Sequence, residues 1–315
     1  MRRLTYVVIA VGLGFLISRW LVVSGNPEYN FWRSCMDRKV GEVTRLRAET
    51  PGKPLILFSG GSTCVFSIAP EVVEQQTGMA SYNMGGAVPM GAPYICAKVF
   101  ETASAGDLVV LMLEPVMLTQ PNAAEVKRLG VSLASSEQAS EEKKWFGANA
   151  VLKDEAVHLR PGSSFLFRTV GKKLLGRKGY RYTMDDFRER GRMETFYENE
   201  WKKANQVIDK NTLSQDGIDL LVKCRDLAAK KKVTIVYSLP WTWTVEEISE
   251  ESKRSNKRLL QEIEEYIPVI REPHMGVSTE GEYFADTSNH LTTEGAKIRS
   301  LELGEALQNF LSNRN

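Results

Sequence analysis

The chain has 315 residues, of which 43% are hydrophobic and 25% charged, with a formal net charge of +2. That composition excludes a disordered or low-complexity protein. So small a charge also gives no electrostatic case for a nucleic-acid partner, and none is expected. Four cysteines (Cys35, Cys64, Cys96 and Cys224) show no CxxC spacing, so no zinc site is expected and each reads as a small buried thiol.

The first 25 residues depart from a soluble pattern. Arg2 and Arg3 precede the apolar run from Tyr6 to Ile17, and Arg19 interrupts before Trp20-Leu21-Val22-Val23. A membrane span needs roughly 20 apolar residues, a length that residues 4–23 reach only by tolerating Arg19. Residues 1–25 are therefore an anchor or a cleaved signal segment, with one transmembrane helix as the expected form. The paired arginines favour a cytoplasmic start, which places residues 26–315 outside the inner membrane.

Five short apolar runs then read as buried strands: Pro54–Ser59, Ala80–Met84, Asp107–Glu114, Val233–Leu239 and Ile267–Arg271. The third is continuously apolar, the pattern of a strand covered on both faces. Helical patterns fill Pro93–Ala103, Leu213–Lys230, Val245–Tyr266 and Glu294–Leu311. Strands alternating with helices imply a three-layer α/β/α sandwich around a five-stranded parallel sheet. In such sheets ligands bind beyond the carboxyl ends of the strands, and Ser62, Gly85, Gly86 and Glu114 all fall at that edge. Residues from about 115 to 210 are too long for a crossover and read as a helical insertion. Within it, 163–181 interleaves six basic residues with apolar ones and carries no acid; it reads either as a basic amphipathic helix that touches an anionic surface or as a solvated helix packed by its apolar side.

The chemistry-bearing residues lie in two distant stretches. Ser62 sits in Ser59-Gly60-Gly61-Ser62-Thr63, directly after an apolar strand, and Asp286 and His290 sit four apart just before the last helix. A hydroxyl is a poor nucleophile near neutral pH and needs an imidazole to take its proton and a carboxylate to orient that imidazole. With only three histidines in the chain, few other pairings could supply this. His274, beside Pro273, reads as structural, and His158 as a surface residue of the insertion.

Gly60-Gly61-Ser62-Thr63, Asn83-Met84-Gly85-Gly86 and Asp286 through His290 together resemble the blocks of the SGNH/GDSL hydrolase superfamily, and in particular its membrane-anchored bacterial branch. The resemblance covers most of residues 54–310 in scattered segments, including Val236-Tyr237-Ser238-Leu239-Pro240. It implies a flavodoxin-like fold, Ser62 as nucleophile, His290 as general base and Asp286 as its orienting acid. It also implies an oxyanion hole from the backbone of Ser62 and Gly85, with Asn83 as a substitute donor. Two departures stand out. Where the family places a third-block asparagine this chain has Leu113-Glu114-Pro115, and the acid precedes the histidine by four residues rather than three, with Thr287 at the family's acid position. Glu114 and Trp241 are candidate pocket residues; Glu114 reads equally as a loop cap and Trp241 equally as core.

The expectation is an extracytoplasmic serine esterase or O-acyltransferase acting on acyl esters, acetyl above all, of an envelope or secreted polysaccharide. It needs no metal or organic cofactor. Its expected partners are the acylated polymer or a small ester, the membrane, and a membrane-bound acyltransferase or polymer synthase. A non-catalytic envelope protein that keeps the same fold for polymer binding or assembly is the alternative.

Overall fold

The computed structural model describes residues 2–25, 27–120, 145, 171–172, 174–176, 182–195 and 212–313. Its centre is a five-stranded sheet in which β1 (Ile56–Gly60), β2 (Ser81–Asn83), β3 (Leu108–Met112), β4 (Thr234–Ser238) and β5 (Val269–Ile270) lie in the order β2-β1-β3-β4-β5. Every pairing is parallel, with Ile56 opposite both Ser81 and Leu108, and Leu108 opposite Thr234. All five expected strands are therefore present and share one sheet.

The alternation of side chains along each strand sorts the core onto two faces. Leu57, Val109, Leu111, Ile235 and Tyr237 join one buried cluster, while Ile56, Phe58, Val110, Met112 and Val236 join another. The first cluster is closed by helices α1 (Pro27–Glu49), α2 (Gly91–Thr102), α3 (Gln215–Lys231) and α4 (Glu246–Glu264); the second is closed by α5 (Pro70–Thr77) and α6 (Thr293–Ser312). Helices thus cover both faces of the sheet, which explains why its strands read as continuous apolar runs.

Helix α1 had no counterpart among the helical patterns. Pro27 starts it, Glu28 occupies its first turn and Arg47 its last, an arrangement that suits the helix dipole. Trp32, Met36, Val43 and Leu46 repeat at helical spacing and are buried, and Lys39 lies on the same stripe at 0% exposure. A small second sheet, Thr242–Trp243 paired with Val277–Ser278, was also not anticipated. All four cysteines are buried and unpaired.

The expected membrane span requires correction. Residues Arg2–Gly25 do form one helix, but among the described residues no helix is long and apolar enough to cross a membrane. The uninterrupted apolar run Tyr6–Ile17 reaches about 18 Å at 1.5 Å per residue, well short of a hydrocarbon core of roughly 30 Å. Described side chains of this run are nonetheless exposed, with Tyr6 at 69% and Val11 at 67% exposure. The insertion lies mostly outside the described residues, as do His158 and most of the basic stretch; of its described residues, Leu174 and Leu175 are exposed.

Candidate functional site

The residues after β1, β2 and β3 meet at one edge of the sheet, joined by Met84 N–H to Phe58 O and Gly86 N–H to Gly60 O, both at 2.8 Å. Ser62 begins a six-residue helix, α7 (Ser62–Ser67), immediately beyond β1. The remaining candidates, Asp286 and His290, come from the loop before α6.

That loop is closed by its own backbone. Phe284 and Leu291 form an antiparallel bridge, and Ala285 N–H donates to His290 O at 2.7 Å. Thr287 Oγ1 accepts the N–H groups of Asn289 and His290 at 3.2 and 3.1 Å, the local bracket that a threonine in a turn provides. The four-residue spacing consequently works without a helix: His290 Nδ1 lies 2.8 Å from Asp286 Oδ1, and both side chains are nearly inaccessible. A carboxylate at Nδ1 fixes the tautomer with the proton on that nitrogen. The other nitrogen, Nε2, has no hydrogen bond among the described residues. Thr292 then caps α6 by accepting Gly295 N–H at 3.1 Å.

The imidazole is packed against the helix that starts at Ser62. Phe66, one turn after Ser62, stacks on His290 with ring centroids 4.3 Å apart. Ser62 Oγ itself makes no hydrogen bond among the described residues, so the expected direct contact to His290 is not formed in this structure. Ser62 and His290 are linked through Phe66, which stands on the helix that Ser62 begins; they are not joined directly.

The expected oxyanion donors are differently used. Gly85 N–H donates to Asn83 Oδ1 at 2.9 Å, and the Asn83 amide donates to Cys64 O at 2.9 Å and Ile68 O at 3.2 Å. Asn83 therefore brackets the end of α7, and neither it nor Gly85 has a donor to spare. The reason is burial: Asn83 is at 0% exposure, where an unmade hydrogen bond is expensive. Only the Ser62 N–H, of the three expected donors, has no partner among the described residues.

Glu114, expected as a pocket residue or a loop cap, is the cap. Its Oε2 accepts Gly61 N–H and its Oε1 accepts Thr63 N–H, each at 3.0 Å. The carboxylate thus satisfies two of the orphan donors at the start of α7. A Cβ at Gly61 would land on the Glu114 carboxylate, which would have to shift to admit it. Trp241 is no pocket wall. It is wholly buried, 4.7 Å from the His274 ring and 5.6 Å from the Arg299 guanidinium. His274 Nε2 lies 3.1 Å from Glu302 Oε1.

Three further residues hold this site and were not anticipated. Tyr182 donates its hydroxyl to Asp286 Oδ2 at 2.9 Å and lies 3.3 Å from His290 Nδ1. Lys39 donates to three carbonyls, Asn83 O at 2.8 Å, Gly85 O at 2.8 Å and Gly191 O at 2.7 Å, which ties the β2 loop to α1 and to the 182–195 segment. Burial draws its ammonium down to about 8 from the ordinary lysine value. Arg299, wholly buried in α6, donates to Leu239 O at 2.8 Å and Ser238 Oγ at 2.9 Å and pairs with Glu272. Lys39 had a sequence signal, a lysine on an otherwise apolar stripe. Tyr182 had none.

A separate groove of about 500 Å³ runs between α1 and residues 187–190, lined by Arg38, Glu42, Tyr82, Phe187 and Arg190 among others. It carries none of the three triad candidates. Among the described residues no cluster of His, Cys, Asp or Glu is arranged to hold a metal.

Comparison with known proteins adds no assignment: no protein-family model matches the chain, and no curated protein matches it. What fold and site define is an α/β protein with a parallel sheet and a buried carboxylate–imidazole pair at the edge where its strands end.

Proposed function

We propose that the chain has the SGNH/GDSL fold and works as a serine esterase or O-acyltransferase on acyl esters of an envelope or secreted polysaccharide. The observation that carries this reading is the Asp286–His290 pair, 2.8 Å apart and stacked through Phe66 on the helix that Ser62 begins. In the proposed reaction Ser62 Oγ attacks the ester carbonyl while His290 Nε2 takes its proton. Asp286 holds the ring's tautomer and supports the imidazolium. His290 returns the proton to the departing alkoxide, leaving an acyl-serine. Water releases the acyl group as a carboxylic acid; a sugar hydroxyl in its place makes the enzyme a transferase. Serine–histidine contacts commonly tighten only when substrate arrives, which suits a Ser62 hydroxyl with no partner at rest. The free Ser62 N–H is the oxyanion donor in this scheme. The paired arginines and the exposed Tyr6, Val7, Val8, Ile9, Val11, Leu13, Leu16 and Ile17 support attachment to the inner membrane with the domain on its outer side.

The test is hydrolysis of p-nitrophenyl acetate by the detergent-solubilised full chain, with Ser62→Ala and His290→Ala alongside. Loss of turnover in both variants is expected; turnover that survives in Ser62→Ala ends the enzymatic reading. Cell fractionation with a C-terminal reporter active only outside the cytoplasm tests the location.

A non-catalytic role in polymer binding is the second reading, and one observation favours it. The N–H groups of Gly61, Thr63 and Gly85 are all held by side chains of the protein itself, which leaves the oxyanion site sparse. Binding of acylated polysaccharide without turnover would select it.

A further inference from the structure

Tyr182 belongs to none of the strand-end blocks. It lies within the long insertion and opens the described segment 182–195, which returns across the sheet edge: Met193 N–H donates to Val65 O at 3.0 Å, and Gly191 O accepts from Lys39. The segment is thus fastened to α7 and to the β2 loop, and its first described side chain is delivered to the Asp286–His290 pair. The Tyr182 ring lies 5.2 Å from Phe66 and its hydroxyl bonds Asp286 Oδ2.

We propose that Tyr182 is the positioning residue of the Asp286–His290 pair, holding the carboxylate in the one rotation that keeps Oδ1 on Nδ1, and that the insertion thereby contributes to the site. The inference rests on the reading of His290 as the base. Its physical ground is that Asp286 has two acceptor oxygens and a side-chain exposure of 0%, so the oxygen not bonded to the imidazole must find a donor inside the protein. Tyr182 supplies that donor. Without the hydroxyl that bond is lost, and the carboxylate is held less firmly in the rotation that keeps Oδ1 on Nδ1. The phenol oxygen, at 3.3 Å from Nδ1, also limits the swing of the ring on that side.

The experiment compares Tyr182→Phe and Tyr182→Leu in the solubilised full chain, using p-nitrophenyl acetate and proton NMR of histidine labelled with nitrogen-15. Tyr182→Phe keeps the ring against Phe66 and removes only the hydroxyl. We expect kcat to fall about tenfold with KM within about twofold, the scale of one hydrogen bond to a charged group. The low-field signal of the His290 Nδ1 proton should broaden or vanish in the same variant. Adding Tyr182→Phe to Asp286→Asn should cost little more, since both act on one interaction. Full kcat and an unchanged low-field signal in Tyr182→Phe, with a loss confined to Tyr182→Leu, would show that the residue only packs and would overturn the proposal. Additive losses in the double variant would do the same. Failure of the catalytic reading is recognised separately, by turnover persisting in Ser62→Ala, and the NMR comparison then still decides the role of Tyr182.

Discussion

Phe66 stacks on His290 with ring centroids 4.3 Å apart, so the helix that begins at Ser62 also carries the surface on which the imidazole rests. Replacing Phe66 by Ala removes that surface without touching a hydrogen bond. A buried Phe→Ala change costs about 3–5 kcal/mol, and Phe66 is at 0% exposure. Thermal melting should therefore fall markedly, and turnover in the fraction that remains folded should fall as well, because the ring is no longer held. Phe66→Leu is the milder control. Phe66→Ala that melts like wild type would contradict the burial described above.

Glu114 holds both Gly61 and Thr63 by their backbone N–H groups. Glu114→Gln offers one acceptor oxygen and turns an amide NH₂ toward the other N–H, leaving a buried donor unmade at about 1–3 kcal/mol. We expect lower stability in chemical denaturation together with slower turnover, because the start of α7 loosens. Faster turnover would mean that the carboxylate opposes the reaction rather than building the loop.

Gly61→Ala drives a methyl group onto the same carboxylate. Expression should drop or the melting temperature fall, and Glu114→Ala should partly rescue Gly61→Ala by removing the obstacle. Measured together, the two changes should be strongly non-additive, as expected for residues in contact. Simple addition of the two effects would refute the contact.

Lys39 gives a pH dependence with a definite sign. The buried ammonium loses its proton near 8, whereas the unfolded chain holds it to the ordinary value of 10.5. Between those values the unfolded state binds more protons than the folded one, so stability contributed at this site rises with pH. Relative to Lys39→Met, the wild-type chain should gain on the order of 3 kcal/mol across that window, at 1.36 kcal/mol per unit. Urea unfolding of both proteins at several pH values measures the difference; a flat or falling difference would show that the ammonium is not buried at a cost.

The legibility of this chain follows its physics. Leu108–Met112 is covered on both faces and so reads as an unbroken apolar run, and the other strands are marked similarly. Helix α1 escaped because its stripe is interrupted by Lys39 and its mean composition is polar, although Trp32, Met36, Val43 and Leu46 keep helical spacing. The apolar content of residues 1–25 was legible, but it suggested a span that the interrupted run does not reach.

At the site the division is sharper. By itself the sequence determined that a serine-bearing glycine turn, an Asn–Gly–Gly turn and an acid four residues before a histidine follow strands or precede a helix, because these are local features of composition and order. Whether those groups are available for chemistry was decided by the tertiary structure alone. Asn83 carries donors that suit an oxyanion, yet burial commits them to Cys64 and Ile68; Glu114 looks like a charge in a pocket, yet it caps α7. Tyr182 reaches Asp286 across 104 residues of chain. A buried polar group takes the partner that folding brings nearest, and sequence distance carries no information about which partner that is.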